Sequence, residues 1–382
     1  MHRFTARLNR GLAGGLESWW PPVQAWLAAT TTVVVISAAE GWPPFAAIKT
    51  WARWDSFHYL QIAEGGYHLF RCLPPDRPGT WCGNSGWFPA YSWIMAGLHL
   101  LAFPLAPTAL AVSWLAFLGT LLILWRAFLV HQPWPTAAAA LAYAAFTPGL
   151  AYEYGVFPLA LLSLCTVAFF ALLQREHWLA AGIAAAVAAL AYPVGLAAAP
   201  AAAVWLLAYR SVPFSQRARR VAAVAGPTVA ALAFFVFVQQ IETRHWNAYL
   251  LTQTDYGHHL ASPTVAIADA LTKVARAPFD LANAPAQQTL FITFVLICVG
   301  AAVIIRRDLS TRFDVLIIIW AIAVWLELYA ETDVHAYRGV AGLLPLAVLL
   351  PRLPRLVAAA IAVAAILIAV PMTTLYLRGV LI

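Results

Sequence analysis

Between Arg53 and Tyr67 the chain reads RWDSFHYLQIAEGGY, which gathers an aspartate, a histidine, a glutamate and four aromatic rings. On a helix Asp55, His58, Tyr59 and Ile62 occupy positions i, i+3, i+4 and i+7, so a carboxylate and an imidazole share one face. A carboxylate placed this way can take a proton from a hydroxyl, and a neighbouring imidazole can orient it or hold an anion. Two readings of Asp55 stand at this level: a base, or a structural carboxylate that pairs with Arg53 or caps a neighbouring element. His58 is open in the same way, between a working group and a structural histidine.

Three further places carry chemistry. Glu153, between Tyr152 and Tyr154, sits where an apolar run ends, either binding hydroxyl groups or simply hydrated. Arg338, with His335 three residues before it, is the best-placed cation for holding a phosphate; Glu327, Glu331 and Asp333 nearby offer it ion-pair partners instead. The stretch RHWNAYLLTQTDYGHHLASP, Arg244 to Pro263, holds Gln253, Tyr256 and His258, residues suited to covering a sugar. His258 and His259 are adjacent and lack a supporting carboxylate spacing, so no metal site is expected there.

The elements that must position these groups are membrane spans. Of the 382 residues 63% are hydrophobic and only 10% charged, with a mean hydropathy of +0.76, well above the roughly 45–50% apolar content of soluble domains. Apolar runs at 23–39, 107–129, 135–151, 155–173, 178–191, 193–209, 221–240, 288–305, 313–330, 337–350 and 356–377 predict about eleven helices crossing a bilayer. The fold class expected is an all-α polytopic membrane protein in a single domain over 1–382. Segment 86–105 is also apolar, but Pro89 and Pro104 interrupt it, and it reads as an interfacial or re-entrant element. Arg3, Arg7 and Arg10, the apolar run from Val23 and Ser37-Ala38-Ala39 mimic a secretory signal; because the following chain stays membranous, the first span is expected to remain as an anchor.

With this set of spans one side of the membrane collects Arg3, Arg7, Arg10, Arg126, Arg175, Arg210, Arg217, Arg219, Arg220, Arg306, Arg307, Arg312, Arg352 and Arg355. Only Glu17, Glu176, Asp308 and Asp314 accompany them. That side is cytoplasmic by the positive-inside rule, with the N-terminus on it. The formal charge of +7 is then a signal for orientation, and nucleic-acid binding is not expected, because the arginines are scattered over short turns. Two long loops, 40–106 and 241–287, face the opposite side, and they carry most of the candidate residues.

Phe45 to Glu64 fits an amphipathic interfacial helix ended by Gly65-Gly66. Cys72 and Cys82 lie in the first outward loop, on an oxidising side, and are candidates for a disulfide closing CLPPDRPGTWC, worth about 2–3 kcal/mol by loop-closure entropy. Cys165 and Cys298 fall within spans and read as small core residues.

The segment WDSFHYLQIAEGGY resembles the signature W-D-x-x-[HWY]-[YF]-L-x-I-A-x-x-G-Y of the PIG-V-like mannosyltransferases, membrane enzymes of the GT-C glycosyltransferase superfamily. GWFPAYSWIMAGL, Gly86 to Leu98, is similar to that family's F-F-P-L-Y-P segment. FTPGLAYEYGVFPLALLSL, Phe146 to Leu164, is similar to its F-P-x-S-x-x-x-x-x-Y-S-E-S-L-F element, and AYRGVAGLLPLAVLL to its R-Y-L-L-x-x-F-P close. The matches run in order over nearly the whole chain. Two departures are plain: YPVG stands where the family has R-x-x-G, with Tyr192 in place of the arginine, and Tyr152 rather than serine precedes Glu153.

The resemblance implies a GT-C fold and transfer of mannose, or another hexose, from a polyprenyl-phosphate donor to a hydroxyl of an extracytoplasmic lipid or glycan acceptor. It implies an inverting mechanism with Asp55 as general base; only two of the 23 basic residues are lysines, Lys49 and Lys273, a bias that suggests a GC-rich genome and with it a bacterial plasma membrane. It makes Arg53, Trp54, His58, Tyr59, Glu153, Gln253, Tyr256, His258, His335 and Arg338 substrate-binding candidates. No cofactor and no metal are implied, and neither the acceptor nor an oligomeric state is specified. Two other classes fit the composition: a lipid or sugar transporter, which should place ionisable groups near the bilayer midplane, and a GT-C relative that has lost activity and serves as a partner subunit. The acidic residues gather in loops and at span exits on one face, which favours surface chemistry over alternating access.

Overall fold

The computed structural model describes residues 19–43, 47–73, 79–208, 212–254, 262–305, 311–330 and 336–381. Tyr256, His258 and His335 lie outside the described residues, as do Glu331 and Asp333. Most of the rest is helix, as an apolar chain requires: in lipid every backbone polar group has to be satisfied within its own segment.

In chain order the helices are α1 (Trp20–Ala39), α2 (Ile48–Trp51), α3 (Ser56–Gly65), α4 (Ala90–His99) and α5 (Leu105–Leu124), which runs on through a π-helical turn, Trp125–Leu129. They continue with α6 (Trp134–Ala145), α7 (Leu150–Tyr154), α8 (Leu159–Gln174), α9 (Trp178–Ala191) and α10 (Ala198–Leu207). The last are α11 (Phe214–Thr243), α12 (Ala248–Gln253), α13 (Pro263–Arg276), α14 (Ala284–Ile305), α15 (Arg312–Ala330), α16 (Ala336–Gly339) and α17 (Arg355–Leu377). Six of these segments are long and apolar enough to cross a membrane: α1, α5 with its π turn, α11, α14 with the turn before it, α15 and α17. The chain is a multi-pass, all-α membrane protein.

The other expected spans take shorter forms. The stretches 155–173, 178–191 and 193–209 become α8, α9 and a 3₁₀ turn, Pro193–Ala197, leading into α10. Fourteen residues of α9 reach only about 21 Å, less than a hydrocarbon core of about 30 Å. Segment 135–151 shortens to the 12 residues of α6. Segment 337–350 departs furthest: after α16 the chain runs as a 3₁₀ helix, Val340–Arg352, containing Pro345 and Pro351.

That 3₁₀ segment is the centre of the bundle. Its residues from Val340 to Ala347 are buried, and it packs against α6, α8, α14 and α15. Trp320 of α15 donates its indole N–H to the Gly342 carbonyl at 2.8 Å, giving a partner to a backbone oxygen of this element. Elsewhere small residues allow close approach: a Cβ on Gly182 of α9 would stand 2.8 Å from the Val224 carbonyl oxygen of α11 and closer still to that of Ala223.

The first loop is ordered by a two-stranded antiparallel hairpin, β1 (Leu69–Arg71) and β2 (Trp81–Gly83), with Phe70 opposite Cys82. Cys72 and Cys82 are joined by a disulfide, with Cα atoms 5.1 Å apart. The Arg71 guanidinium lies 3.9 Å over the Trp81 ring on the same hairpin. Segment 86–105 holds only the 10-residue α4.

Gly182→Val should lower the unfolding free energy in detergent by about 1–3 kcal/mol through overpacking between α9 and α11. Gly300→Ala on α14, where an added Cβ meets nothing within 4 Å, should not lower it, because alanine is the better helix former. Thermal unfolding followed by circular dichroism checks both.

Candidate functional site

The interfacial helix expected over 45–64 is broken in two. α2 ends at Trp51, Ala52 is extended, and Trp54 takes a left-handed φ of 46° before α3 begins at Ser56. A non-glycine residue there costs about 1–3 kcal/mol and persists only where its surroundings over-determine it. The Ser56 hydroxyl accepts the Arg53 backbone N–H at 2.9 Å, whereas Asp55, the N-cap residue of α3, makes no side-chain capping bond. The turn therefore leaves the Asp55 carboxylate free to leave its own helix.

Its partner is Arg338 of α16, 283 residues away, whose Nη1 donates to Asp55 Oδ2. The Arg338 residue is 4% exposed, while the Asp55 side chain keeps 26% of its surface. The rings of Phe157, Tyr337 and Tyr152 lie 5.4, 5.7 and 5.8 Å from the guanidinium carbon, within the range at which an aromatic face attracts a cation. Arg338 Nε is buried without a hydrogen-bond partner among the described residues. Tyr59 and Tyr192 lie within electrostatic reach of both charges. The site is thus a cation walled by aromatic rings, with one carboxylate at its half-open mouth.

His58 stacks on Trp87, ring centroids 3.7 Å apart and 19° from parallel. Burial lowers the imidazole pKa from its ordinary 6.5, with the Asp55 charge opposing, so the ring is neutral at pH 7. Its Nδ1 is buried without a hydrogen-bond partner among the described residues. Tyr59 is buried on the same helix, and its carbonyl accepts the Ser92 hydroxyl of α4 at 2.9 Å. Arg53 turns away from Asp55: its guanidinium lies 3.9 Å over Trp42 and donates to the carbonyls of Lys49 and Ala52. Trp54 is exposed.

Glu153 on α7 is fully buried, not hydrated at an exit turn. Ser163 donates to its Oε1 at 2.8 Å, and Oε2 has no hydrogen-bond partner among the described residues. Burial pushes this carboxyl, on a connecting helix outside the spans, up to about 8, so it holds its proton at neutral pH. Its neighbour Tyr152 lines the Arg338 wall, which places Glu153 behind the site rather than at its mouth.

Gln253 reaches across the loops, donating from Nε2 to the Gly86 carbonyl at 2.6 Å. Three residues absent from the sequence reading complete this tie. Gln239 donates to the Ser85 carbonyl at 2.8 Å and accepts the Tyr249 N–H at 3.0 Å. Glu242 accepts the Tyr67 N–H. Asn84 accepts the His68 N–H at 2.8 Å and donates to the Gly66 carbonyl at 3.0 Å. The polar residues ending the run 221–240 were the available signal, since an amide at a span exit needs partners.

A cavity of about 400 Å³ opens between α13, α14 and α15, lined by apolar residues such as Val265, Leu328 and Ala336 and by Ser262, Thr289 and the Asp269–Lys273 ion pair. No cluster of three or more His, Cys, Asp or Glu able to hold a metal occurs among the described residues. No family model and no curated protein matches the chain.

Asp55→Asn leaves the buried guanidinium without its counter-charge and should lower the unfolding free energy by about 3 kcal/mol, the lower end for a broken buried pair because Asp55 is partly solvated. Adding Arg338→Met should recover most of that loss in the same denaturation measurement. For His58, the folded state binds fewer protons than the unfolded state as pH falls below about 6.5, so this group's contribution is present at pH 7 and lost on acidification. The stability difference between wild type and His58→Gln should therefore shift against wild type from pH 7 to pH 5.5, measured by unfolding at each pH.

Proposed function

We propose that the protein is an integral membrane glycosyltransferase of GT-C type that moves a hexose, mannose by the sequence resemblance, from a polyprenyl-phosphate donor to a hydroxyl of an extracytoplasmic, lipid-linked acceptor. The observation that carries this reading is the pairing of Asp55 with the buried Arg338. Inverting transfer from a phosphodiester needs one base and one cation close together, and these two residues supply both. In this reading the short apolar helices and the 3₁₀ segment, about 26 Å long at 2.0 Å per residue, complete the eleven crossings.

The donor phosphate takes the Arg338 guanidinium, which releases Asp55 to face the acceptor. Asp55 then removes the acceptor hydroxyl proton as that oxygen bonds to the anomeric carbon. The bond from that carbon to the phosphate oxygen breaks, and the leaving polyprenyl phosphate carries away the electron pair with Arg338 balancing its charge. His58 on Trp87 offers a flat apolar wall with a neutral nitrogen for sugar hydroxyls.

The test is transfer in lipid nanodiscs from radiolabelled polyprenyl-phosphate mannose, with a lipid extract as acceptor source. Label should enter a new product with wild type, and Asp55→Asn should lose at least about 10²-fold of that rate while still showing cooperative unfolding. Undiminished transfer by Asp55→Asn would remove Asp55 as base. A lipid or sugar transporter is the alternative outcome of this test. Absence of transfer with any lipid-linked sugar, together with proton-driven movement of a labelled lipid across proteoliposomes, would establish it instead.

A further inference from the structure

The arginine-rich end of the bundle holds a second cavity, away from Asp55, which the transfer chemistry does not use. Its volume is about 240 Å³, and it lies where the turn between α8 and α9 meets the end of α10, the first third of α11 and the start of α15. Arg220 and Arg312 supply positive charge, Trp178 and Trp205 supply aromatic walls, and Leu206 and Phe313 supply apolar ones. Glu176 is the acidic residue in the lining.

Arg220 is held ready rather than consumed. Its side chain is 15% exposed and lies 4.6 Å over the Trp178 ring. Its ionic contact is Glu176 Oε2 at 3.5 Å, and that carboxylate side chain is 65% exposed. An ion pair this long with a solvated partner contributes about 0–1 kcal/mol and yields readily to a better anion. One turn earlier on α11, Arg217 donates to the Leu207 carbonyl, while its Nε is buried with no hydrogen-bond partner among the described residues. Trp205 donates its indole N–H to the Arg312 carbonyl at 2.8 Å, fixing the start of α15 against α10.

We infer that this cavity binds the phosphate of an anionic phospholipid headgroup, with Arg220 and Arg312 as its cationic contacts. Guanidinium groups match phosphate oxygens with paired donors. Tryptophan rings mark the headgroup level, and basic pockets between spans on the cytoplasmic side suit anionic lipid heads. The apolar walls distinguish a lipid from free phosphate: Leu206 and Phe313 contribute nothing to a hydrated ion, whereas they accommodate a glycerol backbone. Leu179, Val204 and Leu207, on the helices that form the cavity, are exposed apolar residues, so acyl chains descending from a headgroup here have an apolar surface to follow.

The test is lipid binding to the full-length protein by native mass spectrometry from neutral detergent, titrating phosphatidylglycerol, phosphatidylcholine and inorganic phosphate in turn. Phosphatidylglycerol should bind at least about tenfold more tightly than phosphatidylcholine, and Arg220→Gln combined with Arg312→Gln should abolish that preference. Arg276→Gln, on α13, should leave it unchanged. Glu176→Gln removes the competing carboxylate and should tighten phosphatidylglycerol binding severalfold, so the inference remains testable if the double variant fails to fold. Equal binding of the two lipids, a preference that survives both the double variant and Glu176→Gln unaltered, or occupancy by inorganic phosphate that displaces phosphatidylglycerol would overturn it.

Discussion

A guanidinium enclosed by three aromatic rings has to find a negative charge, and much of this fold is the means by which Arg338 finds one. Leaving water costs a cation several kcal/mol, which only a close anion offsets. The anion comes from the other end of the chain, across 283 residues. Bringing Asp55 there requires the left-handed turn at Trp54, the separation of α2 from α3 and the burial of Trp51 beneath them. Tyr376 of α17 donates its hydroxyl to the Trp51 carbonyl, so the C-terminal helix also fixes this turn. Arg338 can afford only one kind of neighbour on each side: rings that attract it and a carboxylate that neutralises it.

The second constraint is that the two long loops, 40–106 and 241–287, act together. The site's mouth is made by the first loop, yet the polar ties that fix that loop come from α11 and α12. Gln239 and Gln253 hold consecutive carbonyls, those of Ser85 and Gly86, just before Trp87. Trp87 in turn carries His58. A movement of α12 would therefore reach the imidazole through the Gln253–Gly86 hydrogen bond and one stacked pair. The disulfide and hairpin at Cys72–Cys82 limit the same loop from its far side.

The sequence made the membrane class legible and singled out Asp55 and Arg338, which the fold brings together, because each rests on local pattern: apolar run length, helical spacing, a cation at a span boundary. It did not reveal that Asp55 and Arg338 are partners. Arg53 stood two residues from Asp55, and Glu327, Glu331 and Asp333 stood near Arg338, so local pairing was the simpler reading. Arg53 instead found Trp42 and backbone carbonyls. Span lengths misled for a related reason: hydropathy measures apolar content and not helix type, and 337–350 became a 3₁₀ element that an apolar window cannot distinguish from an α-helix. Glu153 could not be placed because its burial depends on Ser163, one helix later, and on the fold around both.

The resting ion pair also bears on the order of events in the proposed transfer. While Arg338 holds Asp55, the carboxylate faces the guanidinium and not an acceptor hydroxyl. A lipid-linked phosphodiester carries one negative charge and replaces Asp55 at the guanidinium while Asp55 stays in the site facing the acceptor, so donor binding and base release are a single exchange that adds one negative charge to the site. After transfer, Asp55 is protonated and no longer competes, while the leaving phosphate monoester carries up to two charges. Arg338 then favours the product until Asp55 loses its proton to solvent through its half-open side. Return of that proton to water, rather than chemistry at the sugar, becomes the step that resets the pair. The partial exposure of Asp55 beside a buried Arg338 is what such a reset needs: a base in contact with water and a cation that is not.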